Sequence, residues 1–375
     1  MTRAIRLWPL AALAALAACG GKQETGTAAT AAAPEEKTVN VLNWSDYVAD
    51  TTVPDFQQAT GIQVTYDVFD SNEVLETKLL SGRSGYDVVV PTAPFLERQI
   101  KAGVFLPLDK SKLPNIKNMD PELMQRVAAH DPGNQYSLIY LWGTIGLGYN
   151  PEMVKKALGT DTIDSWSAIL DPANAAKLAK CGIAVLDAPT DVFGSIAISL
   201  GLDPNSEKPE DLKAFEEAMM KVRPYIRYFH SSSYINDLAA GEICVALGWS
   251  GDILQARDRG AAAARPVTVK YAIPKEGAIN YFDMLAIPAD APHPDNAHAF
   301  LNYLMDPEVI AKVTNKTRFA NPNAASLPFV EDAIKSDPGI YPDAKVRARL
   351  HPDLVETQEF SRELNRAWTR IRSGQ

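Results

Sequence analysis

Apolar residues fall into short runs separated by longer stretches with helical spacing. Val39–Leu42 is an apolar run of strand length, Ile62–Val68 alternates apolar and polar positions, and Tyr86–Val90 is a second buried-strand pattern stopped by Pro91. Between them lie helical stretches. The first ends near Gly61. The second, capped by Asp70 or Ser71, places Val74, Leu75, Leu79 and Leu80 at helical spacing up to about Leu80. A third, Phe95–Ala102, is closed by Gly103. Strand and helix alternating in this way predict a doubly wound α/β unit.

Tyr136–Tyr149 is a long mixed run interrupted by Gly143, Gly146 and Gly148. Glycines within a strand pattern mark bends or close backbone approach, and the run reads as a first crossing between two units. A second series follows: strands at Ile183–Asp187, Ile226–Phe229 and Ile243–Gly248, with helices at Thr190–Leu200, Glu210–Val222 and Ile235–Ala240. Val267–Ile273 alternates and leads back, and Asp283–Ile287 rejoins the first sheet. Helices are expected at Ala297–Leu304, Glu308–Val313 and Glu359–Arg372, the last with Phe360, Leu364, Trp368 and Ile371 on one stripe. A chain of 375 residues has room for two such units.

Strand ends carry the chemistry. In open α/β sheets ligands bind outside the carboxyl ends of strands. Trp44-Ser45-Asp46-Tyr47 follows the first strand, and Asp187–Asp191, Trp249–Asp252 and Tyr281–Asp283 adjoin later ones. Three of these four stretches set a carboxylate beside an aromatic ring, which is chemistry for an organic cation. Any one such acid is more often a helix cap or a solvated loop residue. Asp46 as a cap with Trp44 as core is the plain alternative for the first stretch. Four together fit a cleft between the units. Clustered carboxylates without a counter-charge raise one another's pKa, and a ligand with two ammonium groups would relieve that.

Composition narrows the classes. The formal net charge is −9, which argues against nucleic acid and suits a cationic ligand. Arg3 and Arg6 precede the short apolar run Leu7–Leu16, and Leu16-Ala17-Ala18-Cys19-Gly20 has the form of a lipoprotein cleavage site. Residues 1–18 are expected to be a signal peptide, Cys19 a lipidated first residue, and residues 19–37 a flexible tether. An ordinary signal peptide cleaved nearby is the alternative. Cys181 and Cys244 remain, either as a disulfide, usual for an exported pair, or as two buried thiols. The five histidines show no metal-site spacing, and neither a metal nor another cofactor is expected. A Cys nucleophile in the cleft is the enzymatic alternative, and no Ser-His-Asp spacing supports catalysis.

Longer segments carry a resemblance. Asn43–Tyr47, Tyr66–Glu76, Phe95–Arg98, Gly103–Pro114, Tyr228–Ser232 and Ile273–Ala278 resemble the spermidine/putrescine-binding family of periplasmic receptors for bacterial polyamine ABC transporters, over nearly all of Thr38–Gln375. The resemblance implies a two-lobed, type II periplasmic-binding-protein fold, α/β in class, hinged between lobes. Lobe 1 would be residues 38–141 and 272–327, and lobe 2 residues 142–271 and 328–375. It implies an aromatic box of Trp44, Tyr47, Trp249, Tyr281 and Phe319. Asp46, Asp191, Asp252 and Asp283 would be ammonium partners, with Ser45, Thr92 and Ser231 as polar contacts. A Cys181–Cys244 disulfide also follows from it. The expected protein is a monomer in the periplasm, held to the membrane only through the lipid that the Leu16–Gly20 segment suggests for Cys19. It would capture a polyamine, putrescine before spermidine or another diamine, for ABC permease subunits. A sensor without transport is the alternative. Departures from the family pattern are Asp191 for Glu, Thr92 for Ser, Pro94 for Ser, Tyr281 for Phe and Phe319 for Tyr, and His351–Leu354 aligns poorly.

If Cys19 carries lipid, Cys19→Ala should accumulate as an unprocessed or misprocessed precursor on immunoblots of membrane and soluble fractions. A variant processed and fractionated like wild type would remove the anchor.

Overall fold

The computed structural model describes residues 35–375. The signal peptide, Cys19 and most of the tether lie outside these residues. Among the described residues there are ten strands: β1 Thr38–Trp44, β2 Gln63–Phe69, β3 Val88–Val89, β4 Ser137–Tyr149, β5 Ile183–Val185, β6 Tyr228–Phe229, β7 Val245–Trp249, β8 Lys270–Ala272, β9 Ala278–Ala286 and β10 Leu350–Pro352. They form one connected sheet in the order β2-β1-β3-β9-β4-β7-β5-β6, with β10 on β9 and β8 on β4. β1 is parallel to β2 and β3, and β5 is parallel to β6 and β7; β4 is antiparallel to β9 and β7. Helices flank both parts, so the chain is an α/β protein with a mixed sheet.

β4 joins the two groups of strands. Ser137–Thr144 pair with β9, and Ile145–Tyr149 pair with β7. Nearly every β4 residue is buried, so its sequence shows no alternation. Gly146 explains one interruption: a Cβ there would lie 2.5 Å from the carbonyl oxygen of Ala272 on β8. The glycine permits this close approach, in keeping with the broken strand pattern.

Most elements match the expected periodicities, with three informative differences. β9 begins at Ala278, five residues before the expected Asp283 start. Almost all of it is buried, so polar Asn280 hides the strand pattern. The helix Ser250–Ala262 follows β7 directly, where the sequence suggests only a site-bearing turn. Its Ser-Gly-Asp start has the composition of a loop. β10 has no counterpart among the expected strands, and it pairs with β9 from the C-terminal side. The expected tether extends to residue 37, yet Glu35 is already docked: its carboxylate accepts the backbone N–H groups of Asp295 and Asn296 at 3.0 Å each, at the start of the helix Pro294–Leu304. Among the described residues, no helix is long and apolar enough to cross a membrane.

Cys181 and Cys244 form a disulfide immediately before β5 and β7, tying adjacent strands of the second group. Their sequence separation is 63 residues, so the bond restricts a long loop in the unfolded chain. Removing it should cost on the order of 2–4 kcal/mol. Chemical denaturation of Cys181→Ser/Cys244→Ser against unreduced wild type measures this, and thiol labelling of unreduced wild type should find neither cysteine free.

Candidate functional site

β1 delivers the first aromatic wall. Trp44 at its end donates its indole N–H to the carbonyl of Val90 (2.9 Å) and packs on Phe69 with centroids 4.4 Å apart. Trp249, at the end of β7 in the other strand group, meets Trp44 edge-on at 5.6 Å. Tyr47 and Phe319 pack at 4.8 Å, also edge-on. Phe319 lies against the N-terminus of the helix Ser250–Ala262, where a Cβ on Gly251 would come within 2.4 Å of its ring. Glycine at 251 therefore lets that ring close over the helix start. Trp44, Tyr47, Trp249, Tyr281 and Phe319 all line one cleft.

Besides the exposed Asp70, three carboxylates enter the same cleft. Asp283 on β9 is 4% exposed; it accepts the Tyr47 hydroxyl at 2.6 Å and the Thr92 hydroxyl at 2.8 Å. Asp252 in the first turn of the helix Ser250–Ala262 is 5% exposed and accepts the Tyr234 hydroxyl at 2.8 Å. Asp191, in the first turn of the helix Pro189–Ser199, accepts the Trp249 indole N–H at 2.8 Å. Among the described residues, every hydrogen-bond partner of these carboxylates is a neutral group. Burial pushes each of them up to about 7, and Asp191 is further raised by Glu73, Asp283 and Glu356. Hydrogen bonds from Trp249, Tyr234, Tyr47 and Thr92 oppose the rise. Such a cleft favours a cation whose apolar part meets the rings.

Asp46 is placed elsewhere. Its backbone is left-handed (φ 55°), and its carboxylate pairs with Arg259 at 2.7 Å, outside the cleft lining. Its carbonyl accepts from Gln255 Nε2 at 3.3 Å. Ser45 and Ser231 do line the cleft, but both hydroxyls are engaged. Ser45 Oγ donates to Asp70 (2.9 Å), and Ser231 Oγ accepts the Asp187 N–H (3.1 Å). Thr92 also lines it, and Asn72 positions Thr92 by two bonds, 2.8 and 3.0 Å.

Sequence reasoning misses Phe69, Asp70, Asn72, Ser232 and Ile235, which line the cleft as well. Asp70 bridges the strand groups, accepting the hydroxyls of both Ser45 and Ser232 at 2.9 Å. Ser71, not Asp70, caps the following helix. The strand-end rule, applied to β2, points to Phe69 and Asp70. The Cys-nucleophile alternative falls, because both cysteines are consumed in the disulfide.

The carboxyls titrate near 4 in the unfolded chain and near 7 in the fold. Between those values the folded form binds more protons, so these groups lower stability as pH rises, with the full cost reached above about 7. Thermal melts of amine-free protein should show Tm rising as pH falls from about 8 toward 5.5. Asp283→Asn should flatten the slope; an unchanged slope removes Asp283 from the titrating set.

The comparisons agree with this architecture. The family described as bacterial extracellular solute-binding protein matches residues 51–342. A putrescine-binding periplasmic protein of Pseudomonas aeruginosa is 53% identical over 351 residues, 92% of this chain and 95% of its own length. A putrescine-binding periplasmic protein of Escherichia coli is 52% identical over 344 residues, 91% of this chain and 93% of its own. A solved structure from Listeria monocytogenes, described as a spermidine/putrescine ABC transporter, superposes with a TM-score of 0.81 at 29% identity, covering 90% of this chain and 99% of its own. With two strand groups, a shared cleft and a family match over most of its length, the chain belongs to the bacterial extracellular solute-binding proteins.

Proposed function

We propose that this protein is a periplasmic receptor that captures putrescine between two lobes and passes it to an ABC permease. The observation that carries the reading is the set Asp191, Asp252 and Asp283, held in an aromatic cleft by neutral donors alone. A linear diamine supplies what this arrangement lacks: two positive ends joined by an apolar chain. The relatives named as putrescine-binding proteins support that ligand. Trp44, Tyr47, Trp249, Tyr281 and Phe319 would pack the methylenes, and Ser45, Thr92 and Ser231 would order the polar edge. Asp46 would act at the rim, holding Arg259 across the cleft when it closes. The lobes would be residues 38–141 with 272–327 and residues 142–271 with 328–375, bending where β4 changes partners. The receptor would work as a monomer tethered through lipid on Cys19.

Asp252→Asn and Asp283→Asn should each weaken putrescine binding by about 2–5 kcal/mol, the range for breaking a desolvated charge pair. Trp249→Ala should also weaken it, through lost packing and cation–π contact. Butylamine should bind wild type very poorly. Calorimetric titration decides: if both Asn variants bind putrescine within about threefold of wild type, well under the roughly 1.4 kcal/mol of a tenfold change, the diamine clamp is wrong.

A further inference from the structure

β4 and β9 are buried along almost their whole length, and the two exceptions face each other. Trp142 is the one β4 residue that is not fully buried, and Phe282 is the one on β9. They are cross-strand partners with ring centroids 6.2 Å apart, and Tyr341 meets Trp142 edge-on at 6.1 Å. Successive strand residues point to opposite faces, so Phe282 lies behind the strand that carries Tyr281 and Asp283 into the cleft. The three rings floor a separate groove of about 740 Å³, a size typical of small-molecule sites. Among the described residues, Tyr281 alone borders both spaces.

One bank of the groove holds Leu123 and Val127 of the helix Pro121–Val127, with Leu327, which is 47% exposed; the other holds Tyr341, Pro342 and Arg347. Apolar banks over an aromatic floor suit a flat apolar body. The polar groups favour a negative end. The Trp142 indole N–H and the Tyr341 hydroxyl have no hydrogen-bond partner among the described residues. Arg347 donates to the Pro342 carbonyl at 2.8 Å, and no carboxylate pairs with it among those residues. The acids bordering the groove are already answered. Asp120 accepts the backbone N–H groups of Glu122 and Leu123, Glu122 pairs with Arg126, and burial disfavours the charged form of Asp353.

We propose that this groove is a second ligand site, for an aromatic carboxylate, and that filling it favours the closed cleft. The ligand's ring would lie on Trp142 and Phe282, and its carboxylate would take Arg347. The indole N–H and the Tyr341 hydroxyl would add donors once their rings turn toward it. Groove and cleft lie on opposite faces of β9, beside the point where β4 changes partners. In a chain hinged there, opening the cleft would narrow the groove, so a filled groove resists opening. Such coupling acts equally in both directions. The site goes beyond the polyamine reading, and only the coupling rests on it.

Calorimetry with indole-3-acetate and its neutral amide, indole-3-acetamide, tests this on wild type and on two variants of exposed groove residues, Arg347→Gln and Leu327→Asp. The amide is the necessary control, because Asn323 Oδ1 in the same wall is an unpartnered acceptor. Wild type should bind the acetate at least about tenfold more tightly than the amide, and each variant should lose about tenfold for the acetate while binding putrescine within about threefold of wild type. Saturating acetate should raise putrescine affinity at least about threefold, and putrescine should raise acetate affinity by the same factor. No acetate binding to wild type, equal affinity for acetate and amide, or unchanged acetate affinity in both variants would overturn the site. Displacement of the acetate by putrescine would put it in the cleft and overturn the site as well, and independent binding of the two would overturn the coupling. A wild type that fails to bind putrescine defeats the polyamine reading, while the acetate, amide and variant titrations still judge the groove by themselves.

Discussion

Cleft carboxylates whose hydrogen-bond partners among the described residues are all neutral are the constraint on which this structure turns. Asp191, Asp252 and Asp283 are each held by neutral donors, and each is pushed up to about 7 by burial. Nothing in a stability argument favours such an arrangement, since replacing the acids by neutral groups of similar shape would remove a desolvation cost. On the diamine reading proposed above, a cation completes them. Stability given up at a binding site in this way is common where function demands it. The core around the cleft carries the compensation: both faces of β4 and β9 are covered almost without interruption.

The fold determines where those acids meet. Asp283 comes from β9, which pairs with β3 and β4, while Asp191 and Asp252 begin helices that follow strands of the other group. Their approach depends on β4 spanning both groups, and on close contacts that larger residues would block. Gly146 lets β8 in against β4, and Gly251 lets Phe319 down onto a helix start. Around the rim, Asp46 with Arg259 and Asp70 with Ser45 and Ser232 join the two sides. A charge pair as exposed as Asp46–Arg259 adds little to stability, so its importance lies in which conformation it favours.

Much of this architecture is legible in the amino-acid sequence alone. Period-two runs and capped helical stretches mark β1, β2 and most helices, because those elements have one wet face and one dry face. The same logic fails where both faces are dry: β9 starts earlier than its pattern suggests. The helix Ser250–Ala262 is hidden by turn-like residues that serve the site rather than the helix. The strand-end rule brings Trp44, Tyr47 and Trp249 to one place, whereas Tyr281 and Asp283 reach it from the middle of β9. It cannot say where Asp46 points, because that depends on a left-handed backbone at one residue.

The shared titration range of the cleft acids has an effect on the molecule as a whole. Burial raises all three carboxyls to about 7, so the empty cleft tends to hold protons on them. A dication that ionises them displaces those protons into solvent. On the proposed reading, loading then becomes an exchange of one kind of positive charge for another, and the overall charge rises by less than the ligand carries. The empty and filled forms would thus present nearly the same electrostatic face to the outside. Whatever distinguishes one from the other must read the geometry of the closed rim, not its charge.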